Sequence, residues 1–67
     1  MAYRFRLHGK GLQHSWEKDC RPEAALAHAN QVAREYAKDD LYHGTAIRVV
    51  DNAGNEVATV PVPDQPG

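Results

Sequence analysis

The residues best suited to chemistry are four histidines, His8, His14, His28 and His43, and one cysteine, Cys20. Imidazole and thiolate are common zinc ligands. Ligands that converge from one element carry short spacings such as C-x-x-C, H-x-x-x-H or H-E-x-x-H. None of these occurs here, and a site would need ligands from four separate elements. The expectation is therefore no metal and no cofactor. Nucleophilic catalysis needs an activated Ser or Cys, a base and an orienting group in one pocket. Ser15 follows His14, but neighbours on a strand point to opposite faces. No G-x-S-x-G elbow is present, and "HGKG" at 8–11 lacks both the Walker spacing and a following helix. Asp39 and Asp40 read as solvated charges near a helix end. A chain this small also has little volume for a water-excluded cleft. The expected role is binding, not turnover.

Periodicity defines the elements that would carry such a surface. Residues 3–8, "YRFRLH", alternate with period two, the pattern of a half-buried strand. Tyr3, Phe5 and Leu7 point one way and Arg4, Arg6 and His8 the other. "GKG" at 9–11 supplies a turn, and "LQHSW" at 12–16 is its hairpin partner. Two registers remain open. One places Leu12, His14 and Trp16 on the arginine side, the other on the core side, because a one-residue slip exchanges the faces. "EKDC" at 17–20 reads as a loop. Pro22 suits a first helical turn, and from Pro22 to about Asp40 the chain is alanine-rich without glycine. Ala25, Leu26, Ala29, Val32, Ala33, Tyr36 and Ala37 fall within an arc of about 140° at about 100° per residue. Gly44 reads as the glycine that ends this helix. "TAIRVV" at 45–50 and "EVATVPV" at 56–62 are strand-like, joined by the turn chemistry of "DNAGN". Pro61 marks an edge strand.

The predicted class is α+β, in the order β-β-α-β-β: an antiparallel sheet with one helix packed on one face. The strand order 2-1-3-4 is one acceptable arrangement. The 67 residues make one domain, expected over 1–62, with a flexible tail at 63–67. A core of this size supplies about 3–5 kcal/mol. Eight Lys+Arg against nine Asp+Glu give a net charge of −1, which favours neither nucleic acid nor a membrane surface. No apolar run approaches the length of a membrane span. "MAYRFRLHGKG" does not read as a secretory signal, and a lone cysteine fits a reducing compartment. A cytoplasmic setting follows as an expectation.

Three binding readings arise. Arg4, Arg6 and Arg48 lie on strands whose outer face is open. With Tyr3, Trp16 and Tyr42 as stacking groups they would make a footprint for single-stranded nucleic acid. The same open face has the composition of a protein interface, and its edge strands invite pairing with a copy or a partner. A homodimer follows as one expectation. The third reading comes from a resemblance. "NQVAREYAKDDLYHGTAIRV" at 30–49, with an "AY" near the start, resembles a segment of small phage-encoded anti-CRISPR inhibitors of type I-F surveillance complexes. The matching features are Gln31, Arg34 and Lys38, an aromatic at Tyr42, then His43-Gly44-Thr45, and Arg48 between aliphatics. This resemblance implies an inhibitor that works by occupancy, binding backbone subunits where guide RNA meets target DNA. Arg34, Lys38, Tyr42, His43 and Arg48 would then form the binding side. A second resemblance is carried by "RFRLHG", the alanine-rich helix and "IRVVDNAGNEVATVPV". They resemble short bacterial proteins of unknown function with the same element order and a V-x-D-x-x-G-x-x-V-x-x-V-P ending. It implies the fold but no activity.

Overall fold

The computed structural model describes residues 1–63. Strands β1 (Ala2–Gly9) and β2 (Leu12–Asp19) form the first hairpin. Helix α1 (Pro22–Tyr36) follows, then a single 3-10 turn (Asp40–Tyr42), and strands β3 (Ala46–Val50) and β4 (Glu56–Pro61) close the chain. The four strands make one antiparallel sheet in the order β2-β1-β3-β4. The fold is α+β, as the patterns require. Of the expected tail at 63–67, Pro63 follows β4 outside any strand, and residues 64–67 lie outside the described residues.

The core follows from two stripes. Tyr3, Phe5, Leu7, Ile47 and Val49 point from the two central strands to the helix side, joined by Val60 and Val62. Ala25, Ala29 and Ala33 face them from the helix, spaced four residues apart, with Ala29 fully buried, and Ala37 at the helix C-cap continues the line. Small side chains on one helical line let the backbone approach the sheet closely. Leu26, expected within this stripe, lies at its margin and stays about half exposed.

The structure corrects several local expectations and settles one that the sequence left open. Residues 17–19 are strand, not loop: Glu17 pairs with Arg4, Lys18 with Tyr3 and Asp19 with Ala2. The alternation runs on through these charged residues, and the chain's amino terminus holds the end through Asp19 Oδ1 at 3.0 Å. The first hairpin closes on Gly9 and Leu12. Lys10 (φ 52°) and Gly11 (φ 76°) are both left-handed, the two-residue turn that matches strand twist. This register puts Leu12, His14 and Trp16 on the helix side. Helix α1 stops at Tyr36 rather than near Asp40. Asp39 is extended, and its Oδ1 accepts from the Leu41 N–H at 3.0 Å, so its carboxylate starts the 3-10 turn instead of standing free. Gly44 (φ 84°) therefore follows that turn and does not end α1.

Gly9 ties the two hairpins together. It sits at φ 130°, and a Cβ there would lie 3.0 Å from Thr45 Cα and 3.3 Å from Gly44 O. Both atoms are backbone. Gly9→Ala is expected to cost roughly 1–3 kcal/mol, read as a lower urea midpoint. An unchanged midpoint would show that the first hairpin and the 44–45 segment do not meet this closely.

Candidate docking edge and its flanking groove

The structure scatters the residues that could do chemistry. His43 Nε2 lies 2.8 Å from the carbonyl of Ala37, the C-cap residue of α1, so His43 is held at the helix end. Cys20 is a free, half-buried thiol. His14 and Ser15 fall on opposite faces of β2, as alternation requires. Among the described residues, no group of three or more His, Cys, Asp or Glu is placed to hold a metal ion.

The expected binding residues divide between the two layers of the fold. Arg4, Arg6 and Arg48 share the open sheet face, and Arg6 and Arg48 are directly opposite each other on β1 and β3. Arg34 is exposed on α1, across the molecule, and Lys38 follows the helix and pairs with Glu35 at 3.3 Å. Tyr42 packs on Tyr36 with ring centroids 4.4 Å apart, and His43 is committed to the helix end. The seven residues therefore do not make one surface. The nucleic-acid footprint also comes apart. Tyr3 is core, Trp16 lies on the helix side and Tyr42 is held by Tyr36, so none stacks beside the arginines. Two of those arginines are already neutralised: Arg4 Nη2 lies 2.8 Å from Glu17 Oε1, and Arg48 Nε lies 2.9 Å from Glu56 Oε1. Arg6 alone among the three has no ion-pair partner among the described residues, and across the hairpin it faces the small Ser15.

What the structure does assemble is a free edge beside a groove. Helix α1 rests mainly on β3 and β4, which leaves the helix side of β2 nearly uncovered. Trp16 bridges that gap. Its ring stacks on Phe5 at 5.5 Å, with 11° between planes, and its Nε1–H donates to His28 Nε2 at 3.1 Å. The His28 ring stands edge-on to Phe5 at 4.9 Å. The remaining space is a shallow groove of about 360 Å³ lined by His14, Trp16, Lys18, His28, Val32 and Tyr36.

His28 accepts this hydrogen bond only as the neutral ring. Its burial, and then the charge of Lys18, hold its pKa below the ordinary 6.5. The unfolded chain therefore binds that proton more readily than the folded one. The contribution of His28 to stability is complete above about pH 6.5 and declines as pH falls from there through the lower folded-state value. The urea midpoint is expected to drop between pH 7.5 and 5.5, and His28→Gln, which keeps an acceptor but no titration, is expected to flatten that drop. An equally steep drop in the variant would place the titrating group elsewhere.

The direction of the free peptide groups on β2 is fixed by the hairpin. Cys20 N–H donates to Met1 O at 2.9 Å, and the Met1 amino group donates to Cys20 O at 3.2 Å. Alternation along an antiparallel ladder then makes Tyr3–Lys18, Phe5–Trp16, Leu7–His14 and Gly9–Leu12 the bonded pairs. The N–H and C=O groups of Gln13, Ser15, Glu17 and Asp19 accordingly point away from the sheet. The opposite edge is blunted, because β4 contains Pro61 and its ladder slips between Val49 and Val50. Edges without such features are templates for pairing. Sequence reasoning missed Ser15, Trp16 and His28 as a unit. The one signal in the sequence was the lone tryptophan on a strand whose facing was open.

No curated protein and no solved structure matches the chain. Residues 3–63, which span both hairpins and the helix, match a domain of unknown function (DUF6894), and the chain belongs to that family.

Proposed function

We propose that the chain is a non-catalytic docking module that recognises a protein partner by extending its sheet at the β2 edge. One observation carries this reading. β2 presents outward peptide groups at alternate residues from Gln13 to Asp19 beside the half-buried Trp16, while the other edge is interrupted by Pro61. Strand addition draws affinity from main-chain hydrogen bonds and specificity from alternate side-chain positions. Here those positions are His14, Trp16 and Lys18 on one face and Ser15 and Glu17 on the other. The reading needs no cofactor, and a cytoplasmic setting suits its unpaired cysteine.

The resemblance of residues 30–49 to the type I-F inhibitors supplies one candidate partner, the backbone subunits of an RNA-guided complex. That narrower reading rests on this segment alone, and Tyr42, His43 and Gly44 have work within the fold. Surface plasmon resonance of the wild type and Ser15→Pro against a purified type I-F complex tests both levels. Retention lost in the variant supports edge docking on that complex. No retention of the wild type removes this partner, and retention indifferent to the variant removes the edge. A salt-dependent shift of free DNA by the protein alone would replace both with direct nucleic-acid binding.

A further inference from the structure

We infer that the occupant of the β2 edge is a second copy of this chain, paired antiparallel about a two-fold axis through Trp16, so that the two sheets become one. The inference rests on the docking reading above and adds the partner and the register. Because only Gln13, Ser15, Glu17 and Asp19 direct peptide groups outward, they must pair with one another. The possible registers therefore differ by steps of two residues. Centring on Glu17 sets two like carboxylates directly opposite, which is unfavourable. Centring on Ser15 leaves Asp19 overhanging and places Glu17 opposite Gln13. Centring on Trp16 uses the whole strand. Ser15 then meets Glu17 of the second copy and Gln13 meets its Asp19, each pair exchanging both N–H···O bonds. On the helix side His14 meets Lys18, and the two Trp16 rings lie across a non-bonded pair, where side chains approach most closely.

Charge complementarity selects this register. Arg6 is the arginine of the open face without an ion-pair partner among the described residues, and Ser15 is its neighbour on β2. In the Trp16-centred register Glu17 of the second copy lies in line with Arg6, one strand beyond Ser15. The two backbones are two strand spacings apart, about 10 Å, with only a hydroxymethyl group between. An arginine and a glutamate extended toward each other span that distance. Each Glu17 then sits between Arg4 of its own copy and Arg6 of the other, so both symmetric sites complete a charge arrangement that the single chain leaves open. The pairing also joins the two grooves beside Trp16 into one continuous seam.

Sedimentation equilibrium from micromolar to millimolar concentration, with far-ultraviolet circular dichroism as the folding control, tests the inference. The wild type is expected to be dimeric. Ser15→Pro removes an outward N–H that bonds nothing within the chain, and is expected to be monomeric with an unchanged spectrum. Arg6→Glu and Glu17→Lys are each expected to weaken the dimer roughly tenfold or more, and the double variant to regain dimer relative to either single. That recovery reports the register even if Ser15→Pro does not fold. A wild type monomeric throughout, a dimer indifferent to Ser15→Pro, or no recovery in the double variant would overturn the inference. The docking reading is judged separately. If the wild type is monomeric while Ser15→Pro abolishes retention on a purified partner, the edge stands and only the second copy is withdrawn. If neither property depends on Ser15, both readings fall.

Discussion

Ala29→Asp unfolds the domain. Ala29 has no exposed surface and sits in the middle of the alanine line that meets the sheet. A carboxylate there does not reach water, since Ala29 has no exposed surface and belongs to a core cluster made up of apolar side chains. Burying an unpaired charge costs several kcal/mol. The whole core of a chain this short provides only about 3–5 kcal/mol, so the native state loses its margin. Helical circular dichroism should collapse, and hydrogen exchange should lose its slow amides. Arg34→Ala is the matched control, because Arg34 is exposed on the same helix. It should leave the spectrum and the urea midpoint within about 0.5 kcal/mol of wild type. Exchange of the two outcomes would mean that the helix buries the other face.

The legible part of this molecule was the part set by period. Tyr3, Phe5 and Leu7 alternate against Arg4 and Arg6, and Ala25, Ala29 and Ala33 recur every four residues. Each pattern has one solution, so the element order and the packed faces could be read directly. The ends of elements were harder because polar residues decide them. Glu17, Lys18 and Asp19 look like a loop by composition, yet they continue β2 because β1 and the chain's amino terminus offer them ladder partners. Asp39 starts the 3-10 turn after the helix through a local bond from Leu41, a choice that carries no hydrophobic signature. The candidate site was hidden for a related reason. Trp16 and His28 are 12 residues apart and meet only because the tight Lys10-Gly11 turn fixes the register that puts Trp16 on the helix side. The arginines were visible as an exposed face, but their neutralisation by Glu17 and Glu56 depends on strand order, which periodicity does not contain.

Phe5 links the core to that site, and its truncation has the second large expected effect. Its side chain is fully buried; one face carries the Trp16 ring and an edge contact holds His28. Phe5→Ala removes the contacts of a large aromatic from the core, a loss of about 3–5 kcal/mol that matches the entire expected stability. The variant should be mostly unfolded at room temperature. Phe5→Leu separates packing from the specific geometry, because it retains most of the volume but not the stacking surface. Its cost should be near 1–1.5 kcal/mol, leaving a folded protein in which the groove is loosened. Trp16 is the sole tryptophan, so its fluorescence reports this directly. Emission should shift to longer wavelength and quench more readily as the ring loses Phe5 behind it and its hold on His28. If the groove is the binding surface proposed above, Phe5→Leu should also weaken association while the helix content stays constant. A melting curve and an emission spectrum both unchanged in Phe5→Ala would remove Phe5 from the centre of the core and, with it, the physical basis for holding Trp16 beside the open edge.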